Sequence, residues 1–164
     1  MFSQQTVIQS GFDSPLGHMI LAATPSHLIG VWFEGQSHQP SPDTWPVDDR
    51  HPILMKTKGQ LSAYFSNPEA PFDLPLDLSS GTVFQQAIWR ALMDIAPGQT
   101  SSYGAISAQI GNPAAVRAAG GAIGRNPFSI IIPCHRVIGA GGALTGYAGG
   151  LTRKTALLKH EGSL

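Results

Sequence analysis

A single cysteine and its neighbours are the residues of this sequence best suited to chemistry. Cys134 is the only cysteine among 164 residues, and His135 follows it in the segment Ile-Ile-Pro-Cys-His-Arg-Val at 131–137. The stretch from Ile95 to His160 contains no Asp or Glu, although it contains six Arg and Lys residues. Nearby positive charge and an imidazole favour the thiolate form of a cysteine. We therefore expect Cys134 to be a nucleophile with a lowered pKa that faces an anionic partner.

One carboxylate could complete this arrangement. Glu161 is the only acidic residue after Asp94, and it follows a helix expected from 151 to 160. In a Cys–His–acid relay, a carboxylate holds the imidazole that takes the thiol proton. The residues alone leave other interpretations open, because a lone cysteine is often a packing residue and Glu161 could be an exposed residue near the C-terminus.

The charge differs between the two halves of the chain. Residues 1–80 contain three basic and eight acidic residues, a net charge of −5, whereas residues 81–164 contain seven basic and two acidic residues, a net charge of +5. Such asymmetry is typical of proteins in which one part faces nucleic acid. Because Ser79-Ser80-Gly81 has the composition of a connecting segment, we expect a scaffold domain at 1–80 and a DNA-binding, reactive domain at 81–164.

The composition favours the cytoplasm. One cysteine cannot form an intramolecular disulfide, as is typical of proteins in reducing compartments. No apolar run approaches the ~20 residues of a membrane span, and the residues after Met1 lack the basic and apolar regions of a secretory signal. We expect a cytoplasmic protein with no membrane partner.

The pattern of apolar and turn residues predicts strands in the first half and helices in the second. Runs at 6–9, 18–23 and 28–33 predict a hairpin or a three-stranded meander, 35–50 a loop, and 52–65 a helix. In the second half, a helix, a tight turn and a helix form the helix-turn-helix pattern. The predicted elements there are a helix between a Thr82 cap and Pro97, a short helix capped by Ser101 or Ser102 that runs through Ala108, a turn at 111–113, a helix from Ala114 to about Ile123, and the helix at 151–160.

The helix predicted at 114–123 is unusual for one that reads DNA sequence. It contains one arginine, Arg117, and otherwise mostly Ala and Gly, whereas readers of the major groove carry side chains that reach base edges. Small residues suit a shallow contact with DNA that is blind to sequence, although close helix packing also selects them. Arg117 has no acid three or four residues away with which to pair, which favours an external role.

Several segments together resemble one protein family, the O6-alkylguanine-DNA alkyltransferases, also called methylated-DNA–protein-cysteine methyltransferases, in their bacterial stand-alone form. The similarity is dense from about Gly81 to Gly162 and weaker in the first half. The segments that carry it are Phe12-Asp13-Ser14-Pro15-Leu16-Gly17, Tyr64-Phe65, Ser102-Tyr103-Gly104, Gly111-Asn112-Pro113, Arg117-Ala118-Ala119-Gly120-Gly121-Ala122, Arg125-Asn126-Pro127, Ile132-Pro133-Cys134-His135-Arg136-Val137, Gly146-Tyr147-Ala148-Gly149-Gly150-Leu151 and Lys159-His160-Glu161-Gly162.

This resemblance implies a fold, a reaction and a partner. The fold would be α+β, with a small ribonuclease-H-like N-terminal α/β domain and a mainly helical C-terminal domain of the winged helix-turn-helix type. The reaction would be repair of DNA by transfer of an alkyl group from O6-alkylguanine, and from O4-alkylthymine, to Cys134. The partner would be double-stranded DNA, bound through the minor groove with the damaged nucleotide flipped out, by a monomer able to bind cooperatively along DNA.

The resemblance also assigns roles to residues. Arg117 would fill the space of the flipped nucleotide, and the Cys134 thiolate would attack the alkyl carbon after His135, held by Glu161, takes its proton. Tyr103 and Lys154 would donate to the departing guanine. The thioether product has no evident route back, so one turnover per molecule is expected. The implied DNA contacts are Arg117, Tyr103, Ala118, Ala119 and Gly120, and the implied substrate pocket comprises Asn126, Val137, Tyr147, Ala148 and Gly149.

No cofactor or metal is expected. Some members of the family hold zinc in the first half, but this first half has no cysteine, and its histidines lack the spacing of metal ligands. Three alternatives stay open from the residues: a Cys–His hydrolase, an alkyltransferase-like protein that binds damaged DNA without repairing it, and a winged-helix regulator. The histidines concerned are His18, His27, His38 and His51.

Overall fold

The structure, a computed structural model, describes residues 6–164. Its chain divides into two units, Met1–Ser80 and Gly81–Leu164. The first unit contains a β-sheet and one helix and the second is mainly helical, so the α+β class expected from the sequence is confirmed. No helix among the described residues is long and apolar enough to cross a membrane.

The sheet of the first unit is an antiparallel meander in the order β1-β2-β3. The strands are β1 (Ile8–Ser14), β2 (Gly17–Ala23) and β3 (Leu28–Phe33), so of the two predicted alternatives, a hairpin and a meander, the meander is present. The first strand was expected to end at Gln9, but it continues to Ser14. Residues 10–14 carry little apolar pattern, and their strand form comes from pairing with β2 across the two-residue turn before Gly17.

Both faces of this sheet are covered. Helix α1 (Pro52–Ser66) packs against β1 and β2, while Trp32 and Ile20 pack with Trp45 in a separate cluster. A side chain at Gly30 would stand 2.0 Å from the Trp32 ring, so the absence of a side chain at 30 makes room for the indole. The loop predicted at 35–50 has no helix or strand, although Val47 bridges to β1.

The second unit contains four helices and a two-stranded ladder. Helix α2 begins after the Thr82 cap, where Thr82 and Gln85 form a reciprocal capping box, and its Trp89 donates a 2.8 Å hydrogen bond to the carbonyl of Ala122. The remaining predicted helices are confirmed with small shifts of their ends. The elements are α2 (Val83–Leu92), β4 (Ser101–Ser102), α3 (Tyr103–Gln109), α4 (Val116–Gly124), β5 (Val137–Ile138) and α5 (Leu151–His160).

The parallel ladder between β4 and β5 is absent from the sequence prediction. It pairs Ser101 with Val137 and Ser102 with Ile138. Strands of two residues are too short to show an apolar alternation. Their pairing also joins segments that lie far apart in the sequence. The ladder places the start of α3, at Tyr103, beside the segment that follows Cys134.

Candidate active site

Two tight turns set the position of Cys134. The amide of Ile131 donates to the carbonyl of Ser129 at 2.9 Å across Ile130, which has a φ of 72°. The amide of Cys134 donates to the carbonyl of Ile132 at 2.8 Å across Pro133. Positive φ is rare for a β-branched residue and costs about 1–3 kcal/mol, so the buried surroundings of Ile130 must impose this conformation.

Asn126 holds these turns together with its side chain. Its Nδ2 donates to the carbonyl of Ile132 at 2.7 Å and to that of Phe128 at 3.3 Å, and its Oδ1 accepts from the amide of Phe128 at 2.9 Å. Asn126 is 4% exposed, so water cannot readily replace these bonds. Asn126, which the resemblance assigns to the substrate pocket, therefore also holds the turns before Cys134 in place.

The structure brings His135 and Glu161 together. His135 Nε2 lies 2.7 Å from Glu161 Oε2, and both side chains are fully buried. A carboxylate can only accept a hydrogen bond, so Nε2 carries the hydrogen and Nδ1 is left with a lone pair. That Nδ1 is buried and has no hydrogen-bond partner within residues 6–164. The interpretation of Glu161 as an exposed terminal residue is wrong, because the end of α5 turns it inward.

Arg136 shares the same carboxylate. Its Nε donates to Glu161 Oε1 at 2.8 Å and its Nη2 to Oε2 at 3.0 Å, while Nη1 donates to the carbonyl of Ile95. This fork balances the charge of Glu161 with a cation. From the sequence, no partner was predicted for Arg136. The one signal for this pair was that Glu161 is the only acidic residue after Asp94.

Burial decides the protonation state of His135. It lowers the pKa of His135 below the ordinary value of 6.5, although Glu161 acts in the opposite sense. The positive charges of Arg136 and Lys154 lower this pKa further. His135 is therefore neutral near pH 7, the form in which Nδ1 can accept a proton.

The expectation of a lowered pKa at Cys134 is wrong. Burial raises the pKa of the Cys134 thiol above its ordinary value of 9.0, because the effects of Asn126, Lys154 and backbone hydrogen bonds only partly oppose it. Cys134 is 6% exposed, and a buried thiolate loses the solvation that water would supply. In this conformation the residue is a thiol whose deprotonation requires a base.

Lys154 and Tyr103 meet at the loop after β5. Lys154 is 1% exposed, and its Nζ donates to the carbonyls of Val137 at 2.6 Å and Thr145 at 3.0 Å. Burial lowers the pKa of Lys154, and the thiolate form of Cys134 acts in the opposite sense. Tyr103 places its hydroxyl 2.7 Å from Thr145 Oγ1. The carbonyl of Val137, a residue that the resemblance assigns to the substrate pocket, thus already accepts from Lys154.

The residues assigned to the pocket loop line one side of this site. The Tyr147 ring meets the His135 ring edge to face, with centroids 6.5 Å apart. Gly149 is buried and Ala148 is half-buried, and Arg153 donates to the carbonyl of Gly149 at 3.1 Å. The loop is therefore tied both to His135 and to α5.

Helix α4 presents a surface suited to close approach. Arg117 and Ala118 are exposed, and Arg117 has no ion pair within the described part of the chain. Gly120 lies near the Tyr103 ring: a Cβ added at Gly120 would stand 3.7 Å from the nearest ring atom. Ala119 is fully buried, so its side chain packs inside the unit, and we leave it out of the interface.

The described residues offer no obvious metal site. Residues 6–164 contain no group of three or more His, Cys, Asp or Glu side chains placed to hold a metal ion. The side chains described above offer a buried thiol, a neutral imidazole with one nitrogen lone pair available, a buried ammonium and a phenol.

Comparison with known proteins places similarity along nearly the whole chain. Residues 83–163 match the family model of the 6-O-methylguanine DNA methyltransferase DNA-binding domain, and residues 7–78 match that of the ribonuclease-like domain of the same family. A methylated-DNA–protein-cysteine methyltransferase of Mycobacterium tuberculosis is 49% identical over 151 residues, which cover 92% of this chain and 90% of the relative. One of Methanosarcina acetivorans is 46% identical over 153 residues, which cover 93% of this chain and 96% of the relative.

A solved structure extends the similarity to three dimensions. The crystal structure of Mycobacterium tuberculosis OGT in complex with DNA superposes with a TM-score of 0.88 at 47% sequence identity. The superposition covers 95% of this chain and 93% of the other. Fold and sequence therefore agree about which proteins this chain is similar to.

Proposed function

The chain belongs to the O6-methylguanine DNA methyltransferase family, and from this premise we propose that Cys134 is the residue to which it transfers the alkyl group. The protein repairs DNA by alkyl transfer to a cysteine, and its partner is DNA. Cys134 is the only cysteine in the sequence. The observation that carries the proposal is the buried set of Cys134, His135 and Glu161, with the lone pair of His135 Nδ1 unused.

The transfer begins with a proton. His135 Nδ1 takes the proton of the Cys134 thiol through a bridging water, because no hydrogen bond joins Nδ1 to the thiol in this structure, and Glu161 stabilises the resulting imidazolium. The sulfur–carbon bond forms as the bond between carbon and O6 breaks, and the electron pair passes to guanine. Tyr103 and Lys154 supply hydrogen-bond donors to the departing base, which makes it a better leaving group.

The raised pKa of Cys134 fits a reagent that is used only in the complex. A thiol that stays protonated in the free protein reacts slowly with chance electrophiles, since the thiolate is the reactive form. Binding of the damaged base brings the alkyl carbon to sulfur at the moment when His135 accepts the proton. Deprotonation and attack are then coupled, and the buried thiolate never accumulates.

The surface of α4 supports the mode of DNA binding. The reacting carbon lies inside the duplex, so the nucleotide must be flipped out at a cost of a few kcal/mol. Arg117 and Ala118 are exposed, and Gly120 leaves space beside Tyr103. We place this helix in the minor groove, with Arg117 in the vacated stack and Tyr103 against the neighbouring phosphate.

The product determines the stoichiometry. A thioether has no carbonyl for water to attack, so each molecule reacts once. The substrates are O6-alkylguanine and O4-alkylthymine in double-stranded DNA, the protein acts as a monomer in the cytoplasm, and cooperative binding along DNA is compatible with this mode. The acidic first unit serves as a scaffold that does not face DNA.

Mass spectrometry tests the proposal directly. After incubation with duplex DNA that carries one O6-methylguanine, the peptide containing Cys134 should gain one methyl group, with one equivalent of DNA repaired per protein. Cys134→Ala should bind the same duplex without repairing it. Repaired DNA beside an unmodified Cys134, or several equivalents repaired per molecule, would contradict the mechanism, and steady turnover of a simple ester would favour a hydrolase.

A further inference from the structure

Thr145 makes three contacts that meet at the candidate site. Its hydroxyl lies 2.7 Å from the Tyr103 hydroxyl, and its carbonyl accepts from Lys154 Nζ at 3.0 Å. Its methyl group lies 2.9 Å from where a Cβ of Gly139 would stand, so the absence of a side chain at 139 leaves room for it. The bond to Tyr103 thus orients the side chain of Thr145, and the bond from Lys154 holds its backbone.

The hydrogen bond between the two hydroxyls can run in either direction, because either of them can be the donor. A hydroxyl has one hydrogen and two lone pairs, so when Thr145 donates, the hydrogen of Tyr103 is left for another acceptor. A phenol that accepts one hydrogen bond also becomes a stronger donor in the next, because hydrogen bonds in a chain polarise one another.

We propose that Thr145 is a positioning residue that donates its hydroxyl hydrogen to Tyr103 and so directs the hydrogen of Tyr103 toward the substrate base. This inference rests on the proposed function, in which Tyr103 donates to the departing guanine. Thr145 does not touch the reacting atoms. It acts through Tyr103, and Lys154 fixes the backbone from which it acts.

The same bond links the pocket loop to α3. Thr145 directly precedes Gly146, and the pocket residues Tyr147, Ala148 and Gly149 follow. Because the bond to Tyr103 spans 42 positions of the sequence, it is a long-range tie between this loop and the helix-turn-helix. Loss of the bond releases the phenol and loosens the start of the loop, and both changes slow transfer once DNA is bound.

Two nearly isosteric variants separate the hydroxyl from the methyl group of Thr145. Thr145→Val removes the hydroxyl and keeps the shape, while Thr145→Ser keeps the hydroxyl and removes the methyl group. We expect Thr145→Val to lower the single-turnover rate of methyl transfer at saturating DNA by roughly 3- to 10-fold, the effect of one neutral hydrogen bond. Its Kd for the duplex should change less than twofold, and Thr145→Ser should retain the wild-type rate within about twofold.

The same substitution in a Tyr103→Phe background completes the experiment. Tyr103→Phe alone should slow transfer, and Thr145→Val added to it should have no further effect, because Thr145 acts only through the phenol. An equal slowing by Thr145→Val in both backgrounds overturns the inference, as does a wild-type rate for Thr145→Val beside a slow Tyr103→Phe. A wild-type rate for Tyr103→Phe removes both the inference and the role proposed for Tyr103, whereas an unmethylated Cys134 in the wild-type protein removes the proposed function itself.

Discussion

Substitution of Glu161 by Gln tests the buried charge arrangement most sharply. The carboxylate accepts from Arg136 twice and lies 2.7 Å from His135 Nε2, and its side chain is fully buried. Both oxygens of Glu161 face N–H groups of His135 and Arg136. Gln has only one oxygen, so its NH2 group must face one of these N–H donors. The buried charge of Arg136 is then left without an opposite charge, a change that typically costs about 3–5 kcal/mol.

The expected loss can be measured in two ways. Denaturant unfolding should give a free energy of unfolding lower by about 3–5 kcal/mol, and the melting temperature should fall by about 6–20 °C at roughly 2–4 °C per kcal/mol for a chain of this size. The single-turnover rate of methyl transfer should fall by about 10²–10⁴-fold. The rate falls because a Gln amide facing His135 favours the tautomer in which Nδ1 carries a hydrogen and cannot take the thiol proton.

A second variant serves as the control. Arg136→Met combined with Glu161→Gln removes both charges, so the double variant should be more stable than Glu161→Gln alone while its transfer remains slow. A stability loss below about 1 kcal/mol for Glu161→Gln is the size expected of an exposed ion pair. Such a result would refute the burial of this carboxylate and the reasoning built on it.

Other predictions concern single features of the two units. Asn126→Ala leaves two buried carbonyls without their side-chain donor and should destabilise the protein by about 2–4 kcal/mol in urea unfolding and slow transfer; wild-type stability would contradict this. The pKa of His135 is lowered on folding, so stability should be full above pH 6.5 and decline as the pH falls through the folded pKa. The pKa of Cys134 is raised, so stability should be full below pH 9.0 and decline as the pH rises through the folded pKa, and Cys134→Ala should abolish the alkaline decline. Gly30→Ala brings a methyl group to 2.0 Å from the Trp32 ring and should cost about 1–3 kcal/mol, visible as a lower urea midpoint.

Most of the local structure was predictable because its signals are local. Helix α2 has an apolar face and a Thr82 cap, α1 begins at Pro52, and α5 occupies the predicted range 151–160. The errors lie where long-range pairing decides. Strand β1 extends to Ser14 because β2 lies beside it, and the β4–β5 ladder exists because two distant segments meet.

The sequence predicted which residues form the candidate site, but not their protonation states or their ion-pair partners. The segment around Cys134 and the resemblance it carries located His135, Asn126 and Lys154, and the structure buries all three in the same unit as Cys134. The direction of the thiol pKa was predicted wrongly, because a count of nearby cations contains no information about burial. The part of Arg136 in balancing Glu161 was missed for the same reason, since the partner of a buried charge depends on which helix ends meet.

The sequence by itself determined which residue we propose as the reactive one, the helices around it and the family to which the chain belongs, because motifs, caps and apolar periodicity are properties of neighbouring residues. Only the tertiary structure decided that Glu161 faces inward, that Cys134 is a thiol at rest, and that Thr145 meets Tyr103. Each of these depends on solvent exclusion and on contacts between segments far apart in the chain. The energy of a charge or hydrogen bond is set by that environment rather than by the residue that carries it.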